Sequence, residues 1–484
     1  MENEKNNWKI CQECKGRGKK NMKVHKRVRL NYQIALDEFE KSDQTGSIPK
    51  KPIGHLYDCL ECLGSGLIKT TTVTEIDTKN YPNVAIIGGG IGGIALAVAF
   101  LHRGIPFTLF ERDSSFNSRS QGYGLTLQQA SKAIKGLGLF SLKEGVFSTR
   151  HLVHKTDGEV IGEWGFRKWR NPNAQDSTKN TNIHIARQSL RLNFLNQLKK
   201  DNAIEWNHQL IDFKEDKKNG VTLNFLVNGE PKTTKADLIV GADGIRSTVR
   251  KLVIKNDAPL RYLGCIVILG ICPLKDIKGI SECELLDSST VFQTANGKER
   301  IYMMPYSKDT IMWQLSFFMP LDEAKALSKK GSKALKEEAC KRTQWHDPVP
   351  QILKATLESH VSGYPVYDRE TLKPEQLRKS TKTTLIGDAA HPMSPFKGQG
   401  ANQAILDALA LAREIHNGCR QDSKWREKGI QESVLDKFET EMLIRSASKV
   451  KGSAETVALL HSDKILQKRD GPRGSSSQTK STTA

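Results

Sequence analysis

The stretch Val84-Ala-Ile-Ile-Gly88-Gly89-Gly90-Ile91-Gly92-Gly93-Ile94-Ala-Leu-Ala-Val-Ala-Phe100 decides the fold. A short apolar run meets five glycines within six residues, and an apolar stretch of helical length follows. A membrane span needs about 20 apolar residues in succession. The glycines interrupt this run, so it reads as strand, turn and helix. Gly88, Gly90 and Gly93 satisfy GxGxxG: the first for a tight turn, the second for close approach to a pyrophosphate, the third for helix–strand packing. The helix that follows turns its N-terminus toward the phosphates. A second apolar run, Pro106 to Phe110, ends at Glu111, 18 residues beyond Gly93. A carboxylate there can accept hydrogen bonds from a ribose. The motif alone does not choose between FAD and NAD.

Outward from this unit, the chain has 484 residues, enough for two to four domains. At 37% hydrophobic and 26% charged residues it is a globular composition, excluding collagen, a coiled-coil rod and wholesale disorder. The net charge of +20 suits anionic partners such as dinucleotides or acidic substrates. Lys and Arg are scattered and form no long block, so a dedicated nucleic-acid face is not expected. No transmembrane segment is expected. The nine cysteines are odd in number and Met1 to Trp8 has no apolar signal region, which points to a reducing, cytoplasmic setting.

Residues 1–75 form a separate module. Cys11-Gln-Glu-Cys14-Lys-Gly-Arg-Gly and Cys59-Leu-Glu-Cys62-Leu-Gly-Ser-Gly repeat CxxCxGxG. Each CxxC turn brings two thiolates within reach of one metal, and four sulfurs close a structural zinc site. The alternative is a set of metal-free redox or inert cysteines. The repeat resembles the zinc-binding units of DnaJ-type cysteine-rich domains. That family carries four such half-sites and this chain two, so the module is expected to act as a folding clip or a docking knob for a protein partner.

Two later segments choose the cofactor: Val240-Gly-Ala-Asp243-Gly244-Ile-Arg-Ser-Thr-Val-Arg250, and Leu385-Ile-Gly-Asp388-Ala-Ala-His391-Pro-Met-Ser-Pro395-Phe-Lys-Gly398-Gln-Gly400-Ala401-Asn402. With the GxGxxG, in this order, they resemble the group A flavoprotein monooxygenases of the para-hydroxybenzoate hydroxylase type. The resemblance runs over residues 83–465. It implies an α/β fold in which a GxGxxG FAD-binding domain is interleaved with a mostly antiparallel substrate-binding sheet, mainly about 261–358. A disordered tail is expected at 468–484.

The resemblance also implies roles. Gly88, Gly90 and Gly93 surround the FAD pyrophosphate, Glu111 holds the adenosine ribose, and Arg112 lies beside the adenine. Arg187 reaches FAD. Asp243 and Gly244 serve FAD and NAD(P)H. Asp388 binds the ribitol, Pro395 sits against the flavin, and Gly398, Gly400, Ala401 and Asn402 pass near its pyrimidine edge. A helix beginning at about Gly400 would direct free N–H groups at the negative charge of reduced flavin. Simpler readings stand beside these: Asp388 as a helix N-cap, Arg187 as a surface ion pair, His391 as packing. The implied activity is NAD(P)H- and O2-dependent hydroxylation of a small organic, aromatic-type molecule. Rivals are a flavin reductase and a non-enzymatic interaction protein. The substrate is expected over Met303, Met304, Trp313, Leu315 and Phe317, residues equally suited to plain core.

Overall fold

In a computed structural model of the chain, the described residues are 7–42, 49, 52, 54–118, 122–169, 182–198, 203–216, 219–280 and 283–473. The glycine-rich unit folds as expected: strand Val84–Ile87, turn, helix Ile91–Leu101, strand Phe107–Phe110. The helix is apolar on every side because it is buried on nearly every side. The two strands belong to a five-stranded parallel sheet in the order Ile204–Glu205, Phe107–Phe110, Val84–Ile87, Leu238–Gly241, Thr383–Leu385. Val84–Ile87 and Leu238–Gly241 are buried throughout, which is why both read as unbroken apolar runs. From Val84–Ile87 the chain adds strands first on one side and later on the other. That reversal opens a crevice at the carboxyl ends, where ligands bind in such sheets. An antiparallel meander, His208–Asp216, Gly220–Val227 and Glu230–Ala236, packs on the sheet through Phe225, stacked 4.5 Å from Phe110.

The second sheet has seven strands, ordered Val160–Trp164, Arg150–His154, Thr290–Ala295, Glu299–Ser307, Thr310–Phe318, Arg261–Pro273, Val361–Asp368. Only the Thr290–Ala295 and Arg150–His154 pair is parallel. The sheet therefore draws strands from both sides of the expected 261–358. Val361–Asp368 carries Gly363 and Pro365, which weaken a strand signal and suit the edge position it takes. Two helices follow the sheet strands, Leu321–Lys329 and Ser332–Arg342, parted at Gly331 with φ +87°. These and Val349–Ala355 cover one face of the sheet.

In the N-terminal module, Asn7–Ile10 pairs with Leu67–Thr70 and Lys19–Asn21 with Leu56–Asp58. Between the two knuckles a helix spans Lys26–Lys41. The stretch from 468, expected as disordered tail, is described as far as Arg473 and is docked: the Arg469 N–H donates to Ile161 O at 3.1 Å, and the Glu163 N–H donates to Asp470 Oδ1 at 3.0 Å. Residues 474–484 lie outside the described ones. Among the described residues, no helix is long and apolar enough to cross a membrane.

Candidate active site and cysteine centre

The glycine loop is fixed by contacts that a side chain would destroy. A Cβ on Gly93 would lie 1.9 Å from Gly88 O, and one on Gly88, where φ is +108°, 2.6 Å from Ala242 O. At Gly90, by contrast, a Cβ would meet nothing within 4 Å. Open space thus stands over the N-terminus of helix Ile91–Leu101. The Glu111 carboxylate accepts the Gly89 N–H at 2.6 Å and the Asp113 N–H at 3.0 Å. From the other side, Arg191 Nε donates to Gly89 O at 2.7 Å while its guanidinium stacks on Phe116. Both backbone groups of Gly89 are held in this way. Arg191 had no role in the sequence reading, because its partner Gly89 lies 102 residues away in the chain.

The other two motifs end neighbouring parallel strands. Asp243 follows Leu238–Gly241. Its Oδ1 accepts the Ser247 hydroxyl at 2.5 Å and its Oδ2 the Thr248 and Val249 N–H groups at 2.7 and 3.2 Å. Burial raises its pKa above the ordinary carboxylate value, against the pull of these donors. Beneath it, Arg250 makes a bidentate pair with Asp257 at 2.9 and 2.7 Å and donates to Ala389 O and Ala390 O at 3.2 and 2.8 Å. One buried side chain so ties the Asp243 segment to the Asp388 segment, and sequence reasoning missed it.

Asp388 is the opposite of Asp243. Among the described residues it takes no hydrogen bond, and it caps no helix. Its carboxylate opens onto the cavity while protein encloses it on the remaining sides. That enclosure raises its pKa, against the pull of His391 and Arg187. His391 is packing: buried, with Nε2 2.7 Å from Asp407 Oδ2. Asp407 also accepts the Gly387 N–H at 2.8 Å and Arg445 Nη2 at 2.6 Å. Burial would raise the Asp407 pKa, but His391 and Arg445 bring it below the ordinary value.

These elements form one wall of a cavity of about 950 Å³. Arg112, Asp243, Gly244, Asp388, Pro395, Gly398, Gly400 and Ala401 line it. Helix Gly400–Gly418 begins there, as expected. Gly88, Gly90, Gly93, Glu111, Arg187 and Asn402 are not part of the wall. Arg187 lies with its guanidinium over the Tyr123 ring, 5.8 Å from the centroid. The Asn402 side chain is fully engaged: Oδ1 accepts the Gln128 and Ala130 N–H groups, and Nδ2 donates to Thr126 O and Gly398 O. It clamps the turn at Gly398 to strand Gly124–Leu127.

The facing wall is the seven-stranded sheet, and here the expected substrate residues need correction. Met304 faces the cavity, beside Tyr302, Met312 and Gln314. Met303, Trp313, Leu315 and Phe317 point away, into a core with the three covering helices. Register explains the division: Met303 opposes Trp313, Met304 opposes Met312, and successive residues alternate faces.

Across the molecule, Cys11, Cys14, Cys59 and Cys62 are buried with all four Sγ atoms within 4.8 Å of one another. The Cys11–Cys59 and Cys14–Cys62 separations are 3.9 and 3.7 Å. A tetrahedron with metal–sulfur bonds of about 2.3 Å has edges of about 3.8 Å. The two knuckles match each other bond for bond. The Gly18 N–H points to Cys14 Sγ at 3.2 Å and the Gly66 N–H to Cys62 Sγ at 3.1 Å. Gly18 and Gly66 have φ of +73° and +83° and abut the other knuckle's backbone, so the second glycine of each repeat is obligatory.

A family model described as FAD binding domain matches residues 81–426, more than half of the chain. The protein belongs to that family. Its relatives include monooxygenases and epoxidases, one of them, from Aspergillus terreus, named as FAD-dependent. It is 29% identical over 342 residues to the aurachin C monooxygenase/isomerase of Stigmatella aurantiaca, covering 69% of this chain and 81% of that one. It is 27% identical to the chloroplastic zeaxanthin epoxidase of Oryza sativa subsp. japonica, over 78% of this chain but only 55% of that longer protein. Among solved structures, Klebsiella pneumoniae HpxO complexed with FAD and uric acid shares the fold, with a TM-score of 0.64 at 19% identity, over 79% of this chain and 90% of that one.

Proposed function

We propose that this flavoprotein uses NADPH or NADH and O2 to hydroxylate a small organic, aromatic-type substrate, held between the loop wall and the seven-stranded sheet. The observation carrying this is Asp388: an unpartnered carboxylate opening onto a cavity that the Asp243 and Asp388 segments line together. A ribitol hydroxyl is the donor it lacks. The open space over Gly90 fits a pyrophosphate, and Glu111 and Arg112 follow at the end of the neighbouring strand for the adenosine. Arg187, Asp243, Gly244, Pro395, Gly398, Gly400, Ala401 and Asn402 complete the set we assign to FAD, the last through its backbone. When bound, the flavin supplies electron transfer from the nicotinamide and the activation of oxygen.

The chain's own part is to bind, orient and shield. The free N–H groups at the start of helix Gly400–Gly418 stabilise negative charge on the reduced cofactor. Met304, Met312 and Val291 keep water from the reacting face. The chain shows one GxGxxG, assigned to FAD, so NAD(P)H docks transiently. Cys11, Cys14, Cys59 and Cys62 hold structural zinc, supported by their near-tetrahedral spacing. Nine free thiols suit a reducing, cytoplasmic setting.

The test uses the purified yellow protein. Anaerobic NADPH or NADH should bleach the flavin, and O2 should restore it, with slow peroxide formation until the right substrate diverts oxygen into product. Reduction without oxygen consumption matching NAD(P)H loss would make it a reductase. A flavin that neither nicotinamide reduces, across a broad panel of aromatic and polycyclic compounds, would return the molecule to the interaction-protein reading.

A further inference from the structure

The four-cysteine cluster is seated on the flavin domain: Arg413 of that domain contacts it, and the charge of Arg103 reaches Cys14. Arg413, on helix Gly400–Gly418, donates Nε to Gly16 O at 3.1 Å and Nη2 to Ser65 O at 3.5 Å, one carbonyl from each knuckle. Arg103 follows helix Ile91–Leu101 and is 3% exposed. Its Nη1 donates to Ala99 O at 2.9 Å, while Nε and Nη2 have no hydrogen-bond partner. Among the described residues, neither guanidinium forms an ion pair with a carboxylate.

Burial pushes the pKa of Arg413 down to about 10 and that of Arg103 to about 9, and each feels the other's charge or the nearby cysteines. Both remain cations at neutral pH. His416, hydrogen-bonded to the Tyr81 hydroxyl at 2.7 Å, is pushed down to about 4 by burial and by Arg103 and Arg420. The interface therefore holds two positive charges, Arg103 buried and Arg413 half-buried, close to the thiols of Cys14 and Cys62. A buried cation with no counter-charge is strongly unfavourable. The unpaired nitrogens of Arg103 call for an anion.

We propose that a divalent metal held by Cys11, Cys14, Cys59 and Cys62 as a tetrathiolate of net charge 2− is the counter-ion of Arg103 and Arg413, so that metal binding and docking of the module on the flavin domain are one event. The inference rests on the zinc reading above and extends it from four ligands to six residues on two domains. On loading, the metal enters and four thiol protons leave to solvent. The doubly negative site then neutralises both arginines. Helix Gly400–Gly418 connects the two ends of the arrangement, since Arg413 meets the knuckles and Gly400 opens onto the cavity.

The experiment uses full-length, FAD-loaded protein titrated with Co2+, read by thiolate-to-cobalt absorption, followed by competition with Zn2+. Arg103→Met and Arg413→Met should keep one metal per chain but bind it about 10- to 100-fold more weakly, the order expected for removing one charge from a partly buried pair. Arg413→Lys, which keeps the charge, should stay near wild type. Melting supplies a readout that a merely structural arginine would not give. Arg103→Met should raise the Tm of the metal-free protein, by removing an unpaired buried charge, and lower that of the loaded protein. Chelation should speed protease cleavage in the exposed linker 71–80 while FAD stays bound. Met variants that bind metal as tightly as wild type, a Tm that falls equally in both forms, or cleavage indifferent to metal would each overturn the proposal. No cobalt absorption in wild type would overturn the zinc reading itself, and this inference with it.

Discussion

One wall of the cavity is built from loops at the carboxyl ends of parallel strands; the other is the face of an antiparallel sheet. In the loop wall, backbone geometry dictates the residue. Gly93 is glycine because a Cβ would overlap a carbonyl, and Asp243 is aspartate because three donors converge on it. In the sheet wall, parity alone decides what faces the cavity: Met304 does, Met303 does not. A wall made by backbone demand leaves a motif in the sequence. A wall made by parity tolerates any side chain of fitting size, which lets the substrate change while the cofactor stays.

The comparison breaks first at the glycines. Gly93→Ala places a methyl 1.9 Å from a backbone oxygen that has no freedom to move, and should abolish folded protein. Gly90→Ala should fold, because its Cβ meets open space, and should lose FAD affinity instead. Soluble yield, circular dichroism and the flavin-to-protein ratio decide between these outcomes. Gly93→Ala purified with wild-type FAD content would end the backbone account of the loop wall.

On the sheet wall the paired test is Met303→Ala against Met304→Ala. Met303 is fully buried between sheet and helices, so its truncation should cost about 2–5 kcal/mol and leave substrate preference alone. Met304→Ala should shift the substrate profile and raise the fraction of oxygen released as peroxide. Chemical denaturation and product analysis separate them. Equal effects of both on substrate preference would mean that parity does not define the wall.

The two aspartates sharpen the picture within the loop wall. Asp243→Ala removes the acceptor for a hydroxyl and two N–H groups and should destabilise the protein by about 1–3 kcal/mol. Asp388→Ala removes a carboxylate that supports nothing in the protein. It should leave the FAD-free Tm unchanged or higher, and weaken FAD binding about 10-fold or more, the value of a charge-assisted hydrogen bond. A variant with full flavin occupancy and reduction rate would remove Asp388 from the site.

What was legible follows the same line. The strand–turn–helix–strand unit, the start of a helix at Gly400 and the four-cysteine cluster could all be read, because glycine, aspartate and cysteine at fixed spacing carry geometric demands. Arg191, Arg250 and Asp407 could not. Each acts through partners remote in sequence, such as Gly89, Ala389 and Arg445, and no local pattern announces such a pairing. The strands Arg150–His154 and Val361–Asp368 were missed because the first is short and histidine-rich and the second holds Gly363 and Pro365. Their place in the sheet is set by partners already there.

The smallest effect we expect is on pH dependence, and the two halves should fail at opposite ends of the range. Glu439, on helix Asp436–Leu460 in the flavin half, is 1% exposed, and burial pushes its pKa from 4.5 up to about 7. Because the folded value is the higher one, its contribution to stability is complete below about pH 4.5 and is lost as pH rises through 7. His151 and His154, on an inner strand of the sheet half, are pushed by burial from 6.5 down to about 4. Their contribution is complete above pH 6.5 and is lost as pH falls toward 4. Glu439→Gln mimics the neutral acid, so it should raise the Tm by a few degrees at pH 8 and change little at pH 4.5, since at ~1.4 kcal/mol per pKa unit the ionised form costs up to about 3 kcal/mol. His154→Leu should flatten the acid limb and leave the alkaline limb unchanged. Hydrogen exchange at pH 5 and pH 8 gives the spatial check: residues 150–154 should open first in acid, and the start of helix Asp436–Leu460 first in base. Exchange that rises in both halves at the same end of the range would show that the sheet and the flavin half unfold as one unit, whatever the difference in how their walls are built.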